Sequence, residues 1–78
     1  MNGDAGGVSA HHVRKLRQIL ALLHASRDAS GLRVPGLRLH PLSGDRKGQW
    51  AVSVSGNWRV VFEFDGGNAT NVDLVDYH

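Results

Sequence analysis

The chain has 78 residues, a formal net charge of +2, 41% hydrophobic residues and no cysteine. That length suits one small domain with a modest core, and without cysteine no disulfide framework can reinforce it. The histidines do not fall at zinc-ligand spacing: His11 and His12 are adjacent, while His24, His40 and His78 are scattered. The apolar stretch at 19–23 is far too short to cross a bilayer. Residues 1–9 are small and Gly-rich, without the basic-then-apolar pattern of a secretory leader, so a cytoplasmic protein is expected.

Charge is unevenly distributed. Arg14, Lys15, Arg17, Arg27, Arg33, Arg38, Arg46 and Lys47 lie in the first 47 residues with only Asp4, Asp28 and Asp45. The remainder holds one base, Arg59, against Glu63, Asp65, Asp73 and Asp76. Two readings follow: a basic face for a polyanionic or acidic partner, or a solvated helix surface.

Residues 1–7 hold two Gly-containing clusters, and residues 1–8 are expected to be a flexible segment ahead of a domain at 9–78. Ser9 can cap a helix by accepting a first-turn N–H. Val13, Leu16, Leu20 and Leu23 then recur at helical spacing, with Ile19 and Leu22 widening the stripe. This predicts an amphipathic helix ending near Ala25, with room for a short further turn at 26–31. Gly31, Pro35 and Gly36 break the pattern.

From Leu37 the period becomes two. Leu37 and Leu39 alternate with Arg38 and His40, and Pro41 closes the run or marks a sheet edge. A polar turn follows at 43–48. Trp50, Val52 and Val54 share one strand face. After a turn at 55–57, Trp58, Val60, Phe62 and Phe64 share another, opposite Arg59, Val61 and Glu63. Asp65-Gly66-Gly67-Asn68 is a hairpin signal. Thr70, Val72 and Leu74 are expected on one face of the last strand, Asn71 and Asp73 on the other. The expected class is α+β: an N-terminal helix or helices packed on an antiparallel meander of three to four strands.

The chain closes on Asp76-Tyr77-His78, an acid, a phenol and an imidazole that together can accept, relay and donate protons. His40, Arg46, Lys47, Arg59, Tyr77 and His78 together supply what RNA cleavage without a metal needs. A base takes the 2′-hydroxyl proton, a cation stabilises the phosphorane and an acid protonates the leaving 5′-oxygen. Use of the 2′-hydroxyl makes RNA the substrate. No carboxylate cluster of a two-metal nuclease is present in the sequence. Each residue also has a plainer reading: a half-exposed strand histidine, a solvated turn at Arg46-Lys47, an ion pair of Arg59 with Asp73 or Glu63, and polar terminal residues.

The segment Leu37-Arg38-Leu39-His40-Pro41-Leu42-Ser43-Gly44-Asp45-Arg46-Lys47-Gly48-Gln49-Trp50 resembles a contiguous block of the HigB toxins. These are the plasmid-maintenance-killer branch of the RelE-like superfamily. Gly56-Asn57-Trp58-Arg59-Val60 and Asp76-Tyr77-His78 match two further blocks in the same order. The resemblance implies a microbial-RNase-like fold and a ribosome-dependent mRNA endonuclease working in the ribosomal A site without a cofactor or metal. It also implies a helix-turn-helix HigA-like antitoxin, through which contact with operator DNA is indirect. By resemblance the catalytic set is His40, Arg59, Asp76, Tyr77 and His78. His78 or Asp76 is the base, His40 or Tyr77 the acid or orienter, and Arg59 the phosphate clamp. Arg38, Arg46, Lys47 and Asn57 are the RNA- and phosphate-binding candidates. Many relatives carry lysine where this chain has Ser43, which leaves that phosphate contact either missing or moved to Lys47. Relatives also begin with a strand upstream of the main helix that is not found here. Two alternatives accompany this reading: a catalytically weak homologue acting mainly as an antitoxin-binding corepressor, and a non-catalytic RNA-binding module.

Overall fold

The computed structural model describes residues 10–77. Expectations for residues 1–8, for Ser9 as a cap and for His78 lie outside the described residues. The first element, α1, spans Ala10–Ala25. A 3-10 turn at Ala29–Leu32 follows, its start capped by Asp28, which accepts the Ser30 N–H. Four strands complete the fold: β1 His40–Pro41, β2 Trp50–Ser55, β3 Trp58–Asp65 and β4 Asn68–Asp76, with a 3-10 turn at Gly44–Arg46 between β1 and β2. They form one antiparallel sheet in the order β1-β2-β3-β4. Helix and meander are those expected for a RelE-like α+β fold.

The core lies between α1 and one face of the sheet. Ile19 and Leu23 of α1, Leu32, Leu37, and Val52, Val54, Val60 and Phe62 of the strands form it. Phe62 is fully buried and meets Phe64 edge to face at 5.8 Å, a favoured aromatic geometry. The two-residue β3–β4 turn uses Gly66 and Gly67, whose φ values of 60° and 85° suit the hairpin twist and are disfavoured for residues with a Cβ.

Three sequence expectations are corrected. The buried stripe of α1 runs through His12, Ile19 and Leu23, whereas Val13 and Leu20 are exposed. The helix is rotated because His12 is buried: its Nδ1 lies 2.7 Å from Ser55 Oγ and its ring meets Trp58 edge-on. Second, the run from Leu37 is not a strand until His40. Arg38 has φ of 57°, a left-handed conformation that interrupts a pleat, and only His40 and Pro41 pair with β2. Leu37 still joins the core, its carbonyl accepting the Ser53 N–H at 2.7 Å. Third, β4 is bulged. Val61 pairs with Asp73 but Glu63 pairs with Thr70, and the intervening Asn71 has φ of 51°. The extra residue turns Thr70 to the face of Glu63, not to that of Leu74.

Candidate active site

Strand register defines the face opposite α1. His40, Ala51, Val61 and Asp73 form one row across all four strands. Ser53, Arg59 and Val75 form the adjacent row. Directly paired residues project to the same side, and so do residues two apart on one strand. Ala51 and Val61 are buried yet stand outside the helix-side core. They make a small apolar floor among polar neighbours.

His40 sits on the edge strand, exposed, with Nδ1 2.9 Å from the Arg38 carbonyl. A carbonyl can only accept, so Nδ1 carries the hydrogen. With Nδ1 engaged there, Nε2 is the ring nitrogen that could exchange a proton, a lone-pair donor in the neutral ring or an N–H in the cation. The left-handed Arg38 is what turns its carbonyl back onto the ring two residues later.

Arg59 lies mid-row on β3, half-buried. Its Nη1 donates to Gly56 O at 2.9 Å and Trp58 O at 3.0 Å, and the guanidinium carbon is 6.0 Å from the Tyr77 ring centroid. Its anchors are carbonyls, not the carboxylates of Asp73 or Glu63. Neutral acceptors hold one nitrogen of the fork and leave the charge uncompensated for an anion. Tyr77 is positioned by its own backbone, whose N–H donates to Asn57 O at 2.8 Å. The β2–β3 turn thus supplies carbonyls to both Arg59 and Tyr77. Asp76, exposed, pairs with Trp58 in the ladder.

Arg46, in the Gly-flanked turn, donates to Gln49 Oε1 at 3.2 Å, and Gln49 passes on through Nε2 to Glu63 Oε2 at 3.1 Å. Asn71 donates to the same Glu63 oxygen at 3.2 Å. Lys47 is exposed beside it. The sheet therefore brings His40, Arg59 and Tyr77 to one face, with Asn57 in the turn at its end and Arg46 and Lys47 on the turn beyond β1. Arg38 contributes its backbone at the edge. Sequence reading missed Gln49, Glu63 and Asn71 as the relay that holds Arg46. The alternation that sets Glu63 on β3 was visible, but the bulge that brings Asn71 of β4 to it was not. Among the described residues, no group of three histidine or acidic side chains is placed to hold a metal ion, and no helix is long and apolar enough to cross a membrane.

A helix packed on an antiparallel meander is consistent with a RelE-like α+β fold. The family described as the RelE-like toxin of the type II toxin–antitoxin system HigB matches residues 2–78. Endoribonuclease HigB of Proteus vulgaris is 36% identical over 76 residues, covering 97% of this chain and 83% of the relative. The chain belongs to the HigB-like toxin family, and as a type II toxin it has an antitoxin partner.

Proposed function

We propose that this chain is an endoribonuclease toxin that cuts mRNA through 2′-hydroxyl attack, with a single catalytic domain at 9–78. The observation that carries the reading is the carbonyl-anchored Arg59 with Tyr77 on one side and the tautomer-fixed His40 on the same sheet face. Family membership and the likeness to a protein named as an endoribonuclease support the reaction class.

In the proposed reaction, Asp76 or His78 removes the 2′-hydroxyl proton. The freed oxygen attacks phosphorus, and the P–O5′ bond breaks as His40 delivers a proton to O5′ through Nε2. The products are a 2′,3′-cyclic phosphate and a 5′-hydroxyl end. Arg59 stabilises the phosphorane because its charge is already fixed in place and need not reorganise as the transition state forms. Tyr77 limits the rotamers of Arg59 and orients the reacting phosphate. Arg46 and Lys47, with Arg38 and Asn57, hold neighbouring phosphates. The ribosome is the proposed site of action, in the cytoplasm, and a helix-turn-helix antitoxin the proposed inhibitor, which alone carries the complex to operator DNA.

Induction in a sensitive host, with and without antitoxin, tests this. Growth arrest with mRNA cuts is expected, relieved by the antitoxin. His78→Gln should abolish arrest while antitoxin binding persists. Loss of both together would show a structural residue, and arrest without mRNA cuts would remove the nuclease reading.

A further inference from the structure

We propose that a groove between α1 and residues 35–37 binds a backbone phosphate of the RNA strand flanking the catalytic face; this rests on the ribonuclease reading above. The groove has a volume of about 330 Å³. His11, Arg14, Lys15 and Gln18 line it from α1, and Pro35, Gly36 and Leu37 line it opposite. The four helical positions are spaced i, i+3, i+4 and i+7, so they form one stripe. It lies on the flank of the helix away from exposed Val13 and Leu20.

Three features separate this groove from a solvated basic helix face. Every side chain on the helical wall can donate a hydrogen bond, and no carboxylate lines the cavity. Lys15 is half-buried and tethered, its Nζ donating to Gly36 O at 3.0 Å; two ammonium hydrogens remain for a ligand. Gly36 has φ of +92° and open space where a Cβ would stand, so an anion can come close to the backbone on that wall.

Continuity with the catalytic face selects RNA over an acidic peptide. From Gly36 the chain passes through exposed Arg38 to His40, four residues that span at most about 14 Å. Along that path the Leu37 carbonyl is bonded to Ser53 of β2, itself paired with Arg59. A strand of a few nucleotides can occupy the groove, pass Arg38 and present its next phosphates to His40 and Arg59.

The test uses the full chain and an octameric 2′-O-methyl RNA, which cannot undergo 2′-hydroxyl attack, so binding is read without cleavage. Amide and side-chain NMR signals of Arg14, Lys15, Gln18 and Gly36 should move with inorganic phosphate and with the octamer. Arg14→Gln with Lys15→Gln should weaken octamer affinity about tenfold and reduce the slope of log affinity against log salt by about 0.7, the value for one single-strand phosphate contact. The charge-keeping pair Arg14→Lys with Lys15→Arg should retain both. Unchanged affinity and slope in the folded glutamine variant would overturn the proposal, as would loss of antitoxin binding in place of RNA binding. Groove binding by a chain that leaves mRNA intact would sink the nuclease reading alone, whereas mRNA cleavage with unaltered octamer binding would sink the groove alone.

Discussion

Replacing Arg59 by methionine separates its structural and catalytic contributions. Two carbonyl bonds, 2.9 Å to Gly56 O and 3.0 Å to Trp58 O, are lost. At about 1 kcal/mol net each, the fold should lose no more than about 2 kcal/mol, and each kcal/mol lowers Tm by about 4–8 °C in a domain of this size. Removing a preorganised charge from the transition state costs far more rate than that loss explains: about 10²–10³-fold in the cleavage step. Lysine restores the charge but not the fork. A lysine ammonium has no planar fork to meet a phosphate bidentately, so Arg59→Lys should recover only part of the rate. Single-turnover cleavage of a short mRNA on ribosomes, with thermal melts of each variant alongside, gives both numbers. A folded Arg59→Met variant that cleaves within a small factor of the parent would refute the clamp. So would a rate loss that disappears once the unfolded fraction is subtracted.

Other substitutions probe the scaffold. Phe62→Ala removes a fully buried ring from between α1 and the sheet and should cost about 3–5 kcal/mol, most of the stability of a small domain; a urea midpoint close to that of the parent would show the core is placed wrongly. The Ser30 hydroxyl, and then its N–H, donate to Asp28 and hold its carboxyl below the ordinary value. Its ionised form therefore favours the folded state, a contribution present above the unfolded carboxylate range and lost as pH falls through the lowered folded value. Asp28→Asn keeps a capping oxygen without the titration, so thermal stability should decline less steeply on acidification than in the parent; parallel declines would count against this.

Much of the scaffold was legible because strand alternation is strong from Trp50 onward. Val52, Val54, Val60 and Phe62 are the inward positions, and Asp65-Gly66-Gly67-Asn68 closes the hairpin at the expected place. The helix was legible in extent but not in phase. A histidine counts as polar in any periodicity, yet His12 is buried because Ser55 and Trp58, more than forty residues away, receive it. The bulge at Asn71 was equally hidden, since an extra residue between two pairing registers leaves no mark in an alternating pattern. His40, Arg59 and Tyr77 could be named from residue type and resemblance. That they share a face is a property of register, and the carbonyl that fixes the tautomer of His40 depends on a left-handed Arg38 that nothing in the local sequence demands.

The central claim is strand cleavage by the 2′-hydroxyl with His40, Arg59 and Tyr77 on the free sheet face. Mapping the chemistry of the cut ends tests it most directly. Ribosomes programmed with a defined mRNA should yield, on addition of the protein, fragments with 5′-hydroxyl and 2′,3′-cyclic phosphate ends, and His40→Ala should suppress them. Fragments carrying 5′-phosphate and 3′-hydroxyl ends, or identical cleavage by His40→Ala, would contradict the account.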